Sequence, residues 1–220
     1  LVLMEKLKSI PINLREIDYV ILNHLEPDHT GFANLVKELN PHAEFVTTEK
    51  GAKLLEAFYG IKDEIRIVSD GDELDLGDGK KFLFKEIPNV HWPETMVSYE
   101  QQSKTLFSGD AFGAFGVHQG SIFDDETPEV NKPYWESETL RYYSNIISMF
   151  SPMVLKALDA LKGLDIDIIA PSHGLVWRGR PQAVINKYRR YANYNQDYGE
   201  PEVCVVWGSM YGNTEVRLNA

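Results

Sequence analysis

One cysteine, Cys204, is all the thiol chemistry this 220-residue chain offers. A single thiol excludes an internal disulfide framework and a thiolate metal cage, and it fits a reducing compartment such as the cytoplasm. Positive charge is also scarce, with 22 Lys and Arg against 33 Asp and Glu for a net charge of −11. That balance argues against a nucleic-acid partner and leaves a soluble, self-repelling surface. No apolar run approaches the roughly 18 residues of a membrane span. Leu1 is neither an initiator Met nor part of a charged leader, so no signal peptide is visible and a truncated product is expected. Repeats and low-complexity stretches are missing too. A chain this long buries roughly 70% of its unfolded surface, enough for a core without covalent staples.

What is present is a concentration of metal-ligand types. Asn23-His24-Leu25-Glu26-Pro27-Asp28-His29-Thr30-Gly31 follows an apolar run, Tyr19-Val20-Ile21-Leu22, that reads as a strand. His24 and Glu26 are two apart, so in an extended segment they point the same way, and Asp28 continues that parity before the chain turns. His29 can project to the opposite side of a tight turn. Pro27 stiffens the loop, and Gly31 lets the backbone approach closely and enter a helix. A lone histidine here would be a solvated loop residue; two histidines and two carboxylates within six residues point to metal chemistry at a strand end, where functional groups are commonly carried. His91 (Asn89-Val90-His91-Trp92-Pro93-Glu94-Thr95), Asp110 (Ser108-Gly109-Asp110-Ala111) and His173 (Pro171-Ser172-His173-Gly174) each follow strand-type runs. Each alone has an ordinary reading as a packed or capping residue. Together they complete seven oxygen and nitrogen donors, enough for two metals sharing one carboxylate. Three carboxylates among seven donors favour hard or borderline first-row metals, and Glu26 shifts the preference from zinc toward iron. His42, in a turn, and His118, in a glycine-rich stretch, stand outside this set.

Strand and helix signals alternate along the chain. Helices are expected over 32–39, 49–59 (stopped at Gly60), 136–150, 152–162 and 180–194, with a break at Ser151-Pro152. Strands are expected over 19–22, 44–48, 65–68, 73–76, 81–87, 95–99, 105–108 and 166–170, with Asp/Gly turns between several of them. This order predicts mixed α/β (α+β) architecture with two sheets between helical layers.

The spacing of His24, Glu26, Asp28 and His29, then His91, Asp110 and His173, resembles the metallo-β-lactamase superfamily. Glu26, where hydrolytic members usually have histidine, resembles the flavodiiron (A-type flavoprotein) branch. His91-Trp92-Pro93-Glu94-Thr95-Met96, Ser108-Gly109-Asp110-Ala111-Phe112-Gly113 and Ile122-Phe123-Asp124-Asp125-Glu126 are similar to that branch as well. The resemblance implies an αββα sandwich over 1–198, lacking its first strands. It assigns one iron to His24, Glu26 and His91, a second to Asp28, His29 and His173, and the bridge to Asp110.

At 199–220, a turn-like linker and an apolar strand run into Gly208-Ser209-Met210-Tyr211-Gly212-Asn213-Thr214. That segment resembles the opening of a flavodoxin-like domain, in which backbone N–H groups and a helix N-terminus cradle the FMN phosphate. Ser209, Met210, Gly212, Asn213 and Thr214 match the phosphate loop, although the chain stops far short of a whole such domain. The implied activity is reduction of O2 to water, or of NO to N2O. Electrons would come through FMN from a donor such as rubredoxin or a flavin reductase, in a head-to-tail homodimer. The rival expectation is a di-zinc hydrolase of lactamase-like fold, with Asp28 orienting a metal-bound hydroxide.

Overall fold

The computed structural model describes residue 10 and residues 12–194. The unit expected over 199–220, with its flavin-loop residues, lies outside them. β1 (Tyr19–Ile21), β2 (Glu44–Thr47) and β3 (Ile65–Ile67) form a parallel sheet in that order, with Val20 opposite Phe45 and Val46 opposite Arg66. Parallel neighbours need crossovers. The first crossover carries α1 (Pro27–Thr30) and α2 (Ala33–Leu39), and the second carries α3 (Glu49–Tyr59).

The other sheet runs β4 (Glu73–Asp75), β5 (Lys81–Glu86), β6 (Met96–Glu100), β7 (Thr105–Gly109) and β8 (Ile168–Pro171). It is antiparallel up to β7, whereas β8 joins β7 in parallel, with Leu106 opposite Ile169. The excursion between them holds α4 (Lys132–Tyr142), a π-helical stretch (Tyr143–Ile147), a 3-10 turn (Ser148–Phe150) and α5 (Ser151–Ala160). The helix α6 (Pro181–Asn193) follows β8.

Three apolar clusters reveal the layering. Leu22, Leu25, Val36, Phe45 and Leu55 seal α2 and α3 onto the small sheet. Val46, Val68, Leu74, Phe84 and Met96 lie between the two sheets. The largest cluster joins Val97, Leu106 and Ile169 to Tyr142, Val154, Leu158 and Tyr188 on α4, α5 and α6. The order is helix, sheet, sheet, helix, as expected. Each half-buried element hides its apolar face against a neighbour.

Local chemistry explains the element ends. Thr48 accepts from Gly51 N at 3.1 Å and caps α3, while Gly60 closes that helix in the left-handed region. Two expected starts shift. The ligand loop stops being extended at Pro27, which opens α1 because a helix's first turn needs no donor from proline. By the same logic Lys132-Pro133 begins α4 four residues ahead of the expected start at Glu136. Among the described residues no helix is long and apolar enough to cross a membrane.

Candidate metal centre

Five segments bring the seven donors to one edge of the sandwich. Past β1 the chain bends at Asn23 and runs through His24 and Glu26 without regular structure, with Leu25 buried fully in the core between them. Glu26 is the N-cap of α1 but makes no side-chain capping bond, so its carboxyl group is free to reach elsewhere. One helical turn then presents Asp28 and His29. Thr30 anchors that turn from beneath, its hydroxyl 3.1 Å from Leu25 O and 2.8 Å from Tyr59 Oη. His91 sits in the β5–β6 connection, which closes on itself through Asn89 N to Trp92 O at 2.8 Å.

Asp110 and His173 come from the ends of β7 and β8. Gly109 has φ +58, and a Cβ there would stand 3.3 Å from His24 Nδ1, so the strand end tolerates only glycine against that ring. Ser108 Oγ, bonded to Ala111 O at 2.7 Å, folds the turn that aims Asp110 inward. Ser172 N donates to Gly109 O at 2.7 Å, tying the two strand ends together. Gly174, at φ +81, lies so close to Ala114 that a Cβ would approach the Ala114 Cβ to 2.7 Å.

Buried at the centre, Asp110 divides its two oxygens between two sets of residues. Its Oδ2 lies 3.4 Å from His24 Nε2 and 3.0 Å from His91 Nε2, and Glu26 Oε2 is 3.0 Å from that same His91 nitrogen. Its Oδ1 lies 3.0 Å from His29 Nε2 and 3.6 Å from His173 Nε2, and Asp28 Oδ2 stands 3.3 and 3.4 Å from those two nitrogens. The ligand atoms of His24, Glu26, His91 and Asp110 fall within 4.8 Å of one another, as do those of Asp28, His29 and His173. His29 and His173 aim their Nε2 atoms at each other across 3.3 Å. Two of the buried polar atoms here, His24 Nε2 and Asp110 Oδ1, have no hydrogen-bond partner.

Charge in the cluster is strongly coupled. Burial would raise the Asp110 carboxyl, but the His24, His29 and His91 rings around it hold it well below the usual carboxylate range. Burial likewise pulls His29 and His91 down, and the neighbouring carboxyl groups, Asp110 foremost, outweigh it and raise both above the ordinary value of 6.5. Such a knot of perturbed groups marks a candidate functional site.

The sequence reading passed over three residues beside this cluster. Tyr142 lies with its ring 5.8 Å from that of His173, and burial, then the Asp110 charge, push its phenol upward. Glu94, also buried, accepts from Leu25 N at 2.9 Å. His118 was set aside, yet its Nε2 is 2.9 Å from Gly174 O and its ring packs on Trp135. Only a buried stripe on α4, shared by Trp135, Thr139 and Tyr142, could have flagged the tyrosine. His42 is exposed in its turn, as expected.

A family model described as ODP family beta lactamase matches residues 2–174. An anaerobic nitric oxide reductase flavorubredoxin of Vibrio vulnificus is 34% identical over 215 residues, covering 96% of this chain and 42% of the relative. Among solved structures, a flavo di-iron protein of Thermotoga maritima superposes with a TM-score of 0.86 at 33% identity, covering 98% of this chain and 52% of its own. The rubredoxin oxygen:oxidoreductase of Desulfovibrio gigas gives 0.79 at 32% identity, covering 87% and 47%. The chain therefore spans less than half the length of that curated flavorubredoxin.

Proposed function

From the premise that this chain belongs to the ODP beta-lactamase family, we propose that it is the metal-bearing part of a di-iron oxidoreductase that reduces O2 to water, NO to N2O, or both. His24, Glu26 and His91 would hold one iron and Asp28, His29 and His173 the other, with Asp110 shared. The supporting observation is the divided carboxyl group of Asp110, one oxygen facing each set. The donor spacing fits as well. Atoms each about 2.0–2.2 Å from one ion stand about 3–3.5 Å apart around it, depending on its geometry. That is close to the spacing of Glu26 and Asp110 about His91 Nε2, both 3.0 Å. A cation also answers the two unpartnered buried atoms and the facing nitrogens of His29 and His173.

When bound, the irons supply electrons and a paired site for a diatomic gas, and FMN supplies the remaining electrons. The chain's own residues do the rest. Buried Asp110 carries a negative charge across the working pH range and so needs no proton displaced before binding a cation. Tyr142 keeps its phenolic proton over that range, leaving a neutral O–H donor beside the cluster. The FMN loop we assign to Ser209, Met210, Gly212, Asn213 and Thr214. We further propose a cytoplasmic protein working as a head-to-tail homodimer, fed by rubredoxin or a flavin reductase. The names of the Desulfovibrio and Vibrio relatives support the rubredoxin and gas assignments.

The hydrolytic alternative is not favoured, since these relatives carry reductase names and Glu26 replaces a nitrogen donor by a hard oxygen. Metal analysis of aerobically purified protein tests the choice. Close to two irons per chain with little zinc is the expected result; stoichiometric zinc without iron would restore the hydrolase.

A further inference from the structure

Between the ligands runs a second polar system that binds no metal. Asn23, immediately before His24, accepts from Met96 N through its backbone oxygen at 2.8 Å. Its side-chain amide donates to Phe107 O at 3.0 Å, and its side-chain oxygen accepts from Ser98 Oγ at 3.1 Å. On the far side of His24, Leu25 N donates to Glu94 Oε1 at 2.9 Å. Glu94 is 2% exposed, its Oε2 has no hydrogen-bond partner, and its backbone oxygen accepts from Thr48 Oγ1 at 3.1 Å. Phe107 lies three residues ahead of Asp110, and Glu94 three residues after His91.

We propose that Asn23 and Glu94 are positioning residues that clamp the His24–Glu26 segment from both sides and set its spacing against His91 and Asp110. The proposal rests on the metal-centre reading above and deepens it. The Leu25 N–H lies where the chain has left β1 and has no ladder partner, so a buried acceptor must take it. Glu94 does so from the segment that carries His91. Asn23 does the matching work toward β6 and β7, which leads into Asp110. His24, His91 and Asp110 therefore share one hydrogen-bonded frame. Asp28, His29 and His173 touch Asp110 but make no hydrogen bond to Asn23 or Glu94, and their supports are Thr30, Ala114 and Ser172. The clamp thus predicts a fault confined to one half of the centre. A merely structural peg in the core predicts lower stability and no preference between the halves.

The test is Co(II) titration of the metal-free 220-residue chain, followed by its visible spectrum, with His91→Ala used to assign the step belonging to the His24/Glu26/His91 half. Glu94→Ala and Asn23→Ala are each expected to weaken that step by roughly 10- to 100-fold, the usual cost of removing a partner that orients a ligand. The other step should stay where it is in the unsubstituted chain. Glu94→Gln keeps an acceptor oxygen at the same reach and should retain most of the affinity. Leu158→Ala, which opens the distant core against α6, should lower the melting temperature and leave both steps unchanged. If Glu94→Ala does not fold, Asn23→Ala decides the matter. Undiminished binding in Asn23→Ala and Glu94→Ala overturns the clamp alone, as does the same loss in Leu158→Ala. An unsubstituted chain that takes up no Co(II) overturns the metal centre and the clamp with it.

Discussion

The two halves of the centre differ in how far they are closed. Around Asp110 Oδ2, the side chains of His24, His91 and Glu26 are 2%, 14% and 33% exposed. Around Oδ1, those of His29, His173 and Asp28 are 19%, 38% and 52% exposed. The first set hangs on the segment that follows β1 and on the β5–β6 connection. The second hangs on a single helical turn and a strand-end loop. Donors of similar chemistry therefore meet different dielectric surroundings, and charge interactions are screened less in the closed half. If the two sets hold metal as proposed, the closed set would retain it and the open set would exchange it with solvent more readily.

The most damaging way to test that division is to remove what the halves share. Asp110→Asn takes away the one charge facing both sets and should lower both affinities by more than roughly 100-fold, beyond the loss of an outer partner; calorimetric titration reads it. His91→Ala comes next. It should remove one metal per chain and abolish gas reduction in the full-length protein, and unchanged metal content would strike His91 from the set. His173→Ala, in the open half, should weaken its own step by at least the roughly 10- to 100-fold that losing an outer partner costs, and leave the closed step filled. An equal loss at both steps would erase the distinction between the halves.

The gentlest test is pH. In the metal-free chain His29 and His91 are raised above 6.5, so their pairing with Asp110 stabilises the fold fully below that value and fades as pH rises through the raised ones. Asp110 is depressed, so its contribution is present above 3.8 and disappears only on strong acidification. Metal needs the imidazoles neutral and displaces their protons. The gain in melting temperature on metal loading should therefore grow from about pH 5.5 to about pH 8 as histidine deprotonates. A constant gain would mean that these histidines do not exchange protons for metal.

Legibility in the sequence followed the range of the forces involved. The helix over Glu49–Tyr59 was read with its observed bounds because its cap, its apolar face and its terminating glycine are all local. The start of α4 was missed because Pro133 looks like a breaker until its place in a first turn is known. Nothing local announces the π-helical stretch at Tyr143–Ile147, nor the parallel seam between β7 and β8. At the centre, four donors within six residues were visible at once, and the other three were visible as donors at strand ends. Glu94 and Tyr142 were not. A glutamate after a proline and a tyrosine on a helix look ordinary until folding sets the first against Leu25 N and the second beside His173.

The parallel seam has an evolutionary reading. Because β7 and β8 run side by side and Ser172 N is fastened to Gly109 O, Asp110 and His173 leave adjacent strand ends whatever the length of chain looped out between them. The helical excursion is in effect a cassette mounted on a fixed frame. Its length can change without moving either strand end.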